Sequence, residues 1–461
     1  MYRKLTARFK LIISLVSTAI VTLFIVTGFQ HQPSQTNQGE KQKNEPKNII
    51  FVVGDGMGMP IINGYRTLKS EKKGAFTHTA WEQYLVGMQM THPNDPRDNI
   101  TDSSAAATAM ATGTKTYNDA IAVDNQHHHL KSVVEDAKEK NMSVGFVVTS
   151  DLTDATPAAF GVHNVSRRNY NEIADQYFDE KVNGSHKIDI LLGGGAKYFI
   201  RDDRNLAEEF QKDGYQLVTT KQQLLKSKND NLLGLFHETE MDKAIDRDGQ
   251  TPSLKDMTNA ALKQLEKNEN GFFMLLEGSN IDSAGHDNDV VGVMSEMEDF
   301  EKAVQAALDF AKKDQETLVI ITADHSTGGF SYGSDGMTRE TGYKWDPKPI
   351  LAAKKTPGYM AEKMEEGREP EDVLNAYIDL KLTKDEIQQV KNAASEKDTS
   401  LISKQIQTIF DRRSFTGWTT KAHTGEDVPV YAYGPGKDKW SGLIDNTEHA
   451  QNIFEILEKK R

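Results

Sequence analysis

The 461-residue chain contains no cysteine. That excludes disulfides, thiolate nucleophiles and cysteine-ligated metals, and leaves His, Asp, Glu and hydroxyls as the side chains able to hold an ion. It also lacks any excess of positive charge. Lys and Arg number 55 against 68 Asp and Glu, a formal net charge of −13, which excludes a nucleic-acid partner recognised through a basic field. An anionic substrate would need a locally positive site. There is no internal repeat, so solenoid architectures are excluded. With 37% hydrophobic and 27% charged residues, 34 Gly and 13 Pro, the composition is too apolar for a disordered chain and too ordinary for a fibrous one.

What is present begins with an address. Arg3, Lys4, Arg8 and Lys10 precede an uncharged, largely apolar run from Leu11 to Gly28, the pattern of an export signal. The run also reaches the length of a short transmembrane helix, and no Ala-x-Ala cleavage site follows it. A cleaved signal peptide and an N-terminal membrane anchor over residues 1–29 both stay open. Residues 30–47 are all polar, Gly or Pro, cannot bury apolar area and read as a flexible linker. The folded body starts near Asn48 and runs to residue 461.

Short apolar runs at Ile49–Val53, Ser143–Val148, Ile188–Leu192, Phe272–Leu276, Leu318–Thr322 and Val428–Tyr433 read as buried strands. Most are separated by segments of helical period. The clearest is Val290 to Ala311, where Val290, Val293, Met294, Met297, Phe300, Val304, Ala307, Leu308 and Ala311 form a stripe that faces a core. Strand, helix, strand is the βαβ unit, whose right-handed crossover makes its strands parallel. The fold class is therefore α/β, a central mostly parallel sheet flanked by helices. Strand C-termini emerge on one edge, where open α/β sheets bind ligands. Between Asp324 and His423 the chain is rich in charge and poor in strand signal, and about residues 331–420 read as an inserted helical subdomain.

Four strand ends carry acidic or histidine residues: Asp55 in V-V-G-D-G-M-G; Glu277, Asp282 and His286 in L-L-E-G-S-N-I-D-S-A-G-H; Asp324 and His325 in I-T-A-D-H; and His423 in K-A-H-T-G. Singly, each has a plain explanation. An aspartate at a strand end is ordinarily the N-cap of the next helix, and Asp282 with His286, four apart, is equally a solvated pair on a helix face. Jointly they converge on one sheet edge, where Asp282 and His286 on one helical face can share an ion. A metal site is the better account.

A second constellation is T-D-S-S-A-A-A-T-A-M-A-T-G, where Thr101 and Asp102 precede Ser103 and an Ala-rich helix from about Ser104 to Thr112. Ser103 stands at the helix N-terminus, where free N–H groups and the dipole favour an alkoxide or a phosphate oxygen. The plain alternative is that Asp102 or Ser103 is an N-cap. In D-A-T-P-A-A-F-G-V-H-N-V-S-R-R, Asp154 and Thr156 offer oxygen ligands and Arg167 a planar fork for two phosphate oxygens; Arg167 and Arg168 are equally surface charges. The run His127, His128, His129 lies in a polar loop and reads as solvated and without function.

With these motifs on the page, the chain resembles the alkaline phosphatases of the bacterial secreted type. The matches are G-D-G-M-G, T-D-S with A-x-A-T-A-x-x-T-G-x-K-T, D-A-T-P-A-A with S-R beyond it, E-G-x-x-I-D-x-x-x-H, T-A-D-H, and H-T-G with Y-G-P beyond it, in the family's order from Asn48 to about Pro435. The resemblance implies an alkaline phosphatase-like domain over 48–461 with a crown-like insertion. It implies one Zn2+ on Asp282, His286 and His423 and a second on Asp55, Asp324 and His325. One Mg2+ would share Asp55 and be completed by Thr156 and Glu277, with Asp154 in contact directly or through water. Ser103 would be the phosphorylated nucleophile and Arg167 the phosphate clamp, with Asp102 orienting it. The sequence departs from the best-known bacterial pattern at Ser283, where that pattern has Lys. The insertion is longer than in compact bacterial members.

The implied activity is metal-dependent hydrolysis of small-molecule phosphate monoesters through a phosphoserine, outside the cytoplasm, for phosphate scavenging. Rival readings are a phosphodiesterase or phosphomutase on the same metal scaffold, and an exported phosphate-binding protein. A homodimer and an N-terminal membrane association are compatible with all three.

Overall fold

The computed structural model describes residues 45–334 and 336–460. The signal or anchor read over residues 1–29, and the linker except its last three residues, lie outside the described residues. Among the described residues, no helix is long and apolar enough to cross a membrane.

The strands are β1 (Asn48–Gly54), β2 (Leu85–Met90), β3 (Ser143–Asp151), β4 (Lys181–Val182), β5 (Ser185–His186), β6 (Ile190–Gly194), β7 (Gln216–Val218), β8 (Leu232–Leu235), β9 (Phe272–Gly278), β10 (Thr317–Thr322), β11 (Ser326–Thr327), β12 (His423–Thr424), β13 (Val428–Tyr433) and β14 (Gly442–Asp445). Ten form one sheet in the order β14-β2-β13-β10-β1-β9-β3-β6-β8-β7. From β10 to β7 all neighbours are parallel. β13 runs against them, antiparallel to both β10 and β2, and β14 is parallel to β2. The pairs β4–β5 and β11–β12 stand apart as small antiparallel ribbons.

β1 shows why the strands read as unbroken apolar runs. Every residue of NIIFVVG is buried, with Ile49, Phe51 and Val53 in the core on one face and Ile50 and Val52 in the core on the other. A strand covered on both sides has no solvent face that calls for polar residues. One face is covered by the helices Met59–Lys73, Leu254–Leu265 and Val290–Asp314, the other by Ser103–Thr112, Val133–Glu139, Ala155–Gly161 and Glu448–Glu458. All nine stripe residues of Val290–Asp314 are buried, and each larger one stabilises the packing by about 1.5–3 kcal/mol.

The expected strand at Ile188–Leu192 lies slightly later, as β6, and β3 continues to Asp151. β2 gives no apolar run to read because LVGMQM mixes Gly and Gln into six residues. Between β11 and β12 come the helices Lys348–Leu351, Pro357–Glu365, Pro370–Tyr377, Lys384–Ser395 and Thr399–Ser414. Their residues Ile350, Met360, Val373, Ile406 and Phe410 join the same core as Val290–Asp314. β11 and β12 pair with Thr327 opposite His423, so the excursion leaves and returns at one point and sets His423 beside His325.

Candidate metal centre

The C-terminal ends of β1, β9, β10 and β3 bring the expected residues together. Asp55 follows β1, and the next helix starts at Met59 with Gly58 as its N-cap, so Asp55 caps nothing and turns inward. Gly56 is required there: its φ is +70°, and a Cβ would stand 2.7 Å from Thr327 Oγ1 and 2.9 Å from Asp282 Oδ1. Glu277 lies at the end of β9, and the helix Asn280–Asp287 carries Asp282 and His286 on one face. Asp324 and His325 follow β10 and are fully buried. Asp154 precedes the short helix Ala155–Gly161 without capping it, and Thr156 is buried inside that helix.

Two overlapping clusters result. Asp282, His325 and His423 bring ligand atoms within 4.8 Å of one another, as do Asp55, Asp324 and His325. His286 joins the first through Asp282 Oδ2, 3.2 Å from its Nε2. In the second, His325 Nε2 lies 3.1 Å from Asp324 Oδ2 and 3.6 Å from Asp55 Oδ1. Asp324 is aimed by the Gly56 and His325 backbone N–H groups, which both donate to its Oδ1.

Two observations fit these residues to metal ions. The first is the pair of imidazoles. His286 Nδ1 donates to the Lys421 carbonyl at 2.6 Å and His423 Nδ1 to the Thr101 carbonyl at 2.9 Å. A carbonyl only accepts, so both Nδ1 atoms carry protons, and the two Nε2 atoms, the ones left to ligate an ion in place of a proton, turn to one point, 3.0 Å apart. Backbone carbonyls behind the ligand rings are the usual outer support of a metal site. Burial, followed by the neighbouring His325, pushes His423 down to about 4, while the bond to Asp282 raises His286 to about 9.

The second is a set of orphaned oxygens. Asp55 Oδ1, both Glu277 carboxylate oxygens and Thr156 Oγ1 are buried without a hydrogen-bond partner. Burial, then repulsion from Asp324 and Asp282, pushes Asp55 well above the usual carboxylate range; burial, then Asp154, does the same to Glu277. Unpaired buried carboxylates are expensive. Cations bound between them remove that cost.

Ser103 opens the helix Ser103–Thr112, with its Oγ 3.2 Å from His325 Nε2. Asp102 is indeed the N-cap, accepting from Ala105 N at 2.9 Å, and it also holds Arg167. The guanidinium reaches Asp102 Oδ2 at 3.4 Å and Asp154 Oδ1 at 3.0 Å. Arg167 is therefore no free surface charge, whereas Arg168 is exposed, with its Nε 3.4 Å from Asp119 Oδ1. A cleft of about 840 Å³, lined in part by Asp102, Tyr117, Arg167, Tyr170, His286 and His423, opens onto this region.

Ser283 turns aside, donating to Glu240 Oε2 at 2.6 Å. His127, His128 and His129 are exposed; His128 pairs with Asp124, and His129 stacks on His163. A further trio, Glu135, His163 and Glu180, also meets within 4.8 Å. Buried Lys187 already supplies its cation, with Nζ 3.5 Å from Glu135 and 2.5 Å from Glu180. The sequence reading missed Thr327, whose hydroxyl donates to Asp282 Oδ1 and lies 3.2 Å from His325 Nδ1. Its place two residues after His325 was the available signal.

Comparison with known proteins gives one answer. The family described as alkaline phosphatase matches residues 46–459. Alkaline phosphatase 3 of Bacillus subtilis is 54% identical, covering 97% of each chain. Alkaline phosphatase 4 of the same organism is 51% identical over 97% of this chain and 96% of its own. Among solved structures, a cold-active alkaline phosphatase from Shewanella sp. superposes with a TM-score of 0.82 at 37% identity, covering 89% of this chain and 99% of that one.

Proposed function

Because the chain belongs to the alkaline phosphatase family, we propose that its phosphate monoester hydrolysis runs through Ser103 as a phosphorylated nucleophile. Metal dependence goes with the family; the reading here is two Zn2+, one on Asp282, His286 and His423 and one on Asp55, Asp324 and His325. One Mg2+ would take Asp55, Glu277 and Thr156, with Asp154. Histidine with carboxylate suits zinc, and an all-oxygen set suits magnesium. When bound, these ions lower the pKa of the attacking hydroxyl and offset the charge on the attacking and leaving oxygens.

The chain's own residues do the rest. The observation that carries the reading is Ser103 Oγ, a hydroxyl 3.2 Å from His325 Nε2 at a helix N-terminus whose cap also grips Arg167. Ser103 Oγ attacks phosphorus as the ester oxygen departs with the alcohol, and water then cleaves the phosphoserine. Two inversions give retention at phosphorus. Arg167 presents a fork for two equatorial oxygens, held in place by Asp102 and Asp154, and the helix N–H groups add to the charge stabilisation. Replacing Ser103 by Ala should lower kcat by about 10⁴-fold or more, as removal of an attacking hydroxyl does elsewhere. Full activity with covalent phosphate trapping in that variant would refute the assignment.

A fork and a helix N-terminus together ask for several unesterified oxygens, which favours monoesters over diesters. Residues 1–29 are read as signal or anchor, placing the enzyme outside the cytoplasm, where it frees phosphate; cell fractionation tests this. Residues 331–420 are read as an inserted helical subdomain.

A further inference from the structure

A line of buried polar side chains connects the C-terminal helix Glu448–Glu458 to the strand end that carries Asp324 and His325. Trp440, His449 and Gln89 are each 0% exposed. The Trp440 indole N–H donates to His449 Nδ1 at 2.9 Å. An indole nitrogen only donates, so the imidazole proton sits on Nε2, which donates to Gln89 Oε1. That leaves the Gln89 amide one orientation, with its Nε2 donating to the Ala323 carbonyl at 2.6 Å. Phe51 of β1 packs edge-on against the imidazole, 5.2 Å between centroids, and restrains the ring plane.

Ala323 needs this donor for a reason written in β13. β10 pairs with β13 as Val319 with Tyr433, Ile320 with Ala432 and Ile321 with Tyr431. Continued by two residues, that register sets Ala323 against Pro429, which has no N–H to give. The ladder stops there. Side-chain bonds replace it: Thr322 Oγ1 donates to the Pro429 carbonyl at 3.0 Å and, more weakly, to the Ala323 carbonyl at 3.3 Å, and Gln89 reaches Ala323 at 2.6 Å from β2, on the far side of β13. The next two residues are Asp324 and His325.

We propose that Gln89, oriented by His449 and Trp440, is a positioning residue that fixes where β10 leaves the sheet and hence where Asp324 and His325 hold their ion. Gln89 bonds to Ala323 and His449 and to neither ligand. The inference rests on the metal reading of those two ligands given above. In the full chain loaded with zinc, Gln89→Leu keeps the volume and removes both bonds. It should weaken retention of the ion on Asp324 and His325 against a chelator by about 10- to 100-fold, as loss of an outer support does, and with cobalt substituted it should shift that ion's visible spectrum. Trp440→Phe should weaken retention in the same direction by less. In the Gln89→Leu background it should cost nothing further, because its effect passes through the amide.

A folded Gln89→Leu protein that keeps zinc as tightly as the unaltered chain overturns the proposal. So does full additivity of the two substitutions, the mark of general destabilisation. If Gln89→Leu does not fold, Trp440→Phe decides alone, and an unchanged chelator midpoint overturns the proposal. An unaltered chain that takes up no zinc would overturn the metal reading itself, and the inference with it.

Discussion

Arg167 illustrates how the fold holds one side chain ready for the role proposed for it. Its guanidinium lies against Asp102 and Asp154, burial works against its charge, and the two carboxylates more than restore it, raising it above its ordinary value. Arg167→Ala should weaken competitive inhibition by inorganic phosphate by about 10- to 100-fold, the equivalent of about 1.5–3 kcal/mol for bonds to a charged group. Asp102→Ala removes a helix cap worth about 1 kcal/mol as well as Arg167's support, so a lower melting temperature should accompany a higher KM. His449 adds a dependence on acidity. Burial pushes it from 6.5 down to about 3, so the fold holds it neutral, and the stability this represents is present above 6.5 and lost as pH falls towards 3. In chelated protein this contribution is about 1.4 kcal/mol per pH unit in that window, and it should appear in urea unfolding as the difference in slope between the unaltered chain and His449→Gln, because buried carboxylates such as Asp151, Asp289 and Glu296, raised to about 7, titrate there with the opposite sign. The residues at strand ends were legible because each sits in a short motif on an edge that the βαβ pattern defines. Gln89 was not, because its contacts arise only once distant strands are adjacent.

At the scale of elements, the centre depends on turns more than on strands. Gly56 passes beneath Asp282 and Thr327 with a positive φ. Gly56→Ala adds strain of about 1–2 kcal/mol and a clash with ligand-bearing side chains, so zinc content and melting temperature should fall together. His423 reaches the centre only because β11 and β12 close the base of a long excursion. Nothing in its sequence neighbourhood other than the motif states that it will lie beside His325. His423→Ala should reduce zinc at the site shared with Asp282 and His286 while leaving the overall fold intact, a result to be checked by metal analysis and circular dichroism. The parallel strands were readable from their unbroken apolar runs. β2 was not, since its Gly and Gln serve close packing and a buried hydrogen bond in place of an apolar face.

For the whole molecule, an acidic chain of net charge −13 must attract an anionic substrate. Five carboxylates, Asp55, Asp154, Glu277, Asp282 and Asp324, gather at one sheet edge, and divalent cations bound there as proposed would, together with Arg167, reverse the local sign. On the proposed reading, metal binding serves recognition as much as chemistry. The most direct measurement is hydrolysis of an aryl phosphate monoester and the matching diester by the full chain, before chelation, after chelation and after zinc and magnesium are returned. The account expects monoester turnover that disappears on chelation, returns with both ions and exceeds diester turnover throughout. Turnover that survives complete removal of metal, or a preference for the diester, would contradict it.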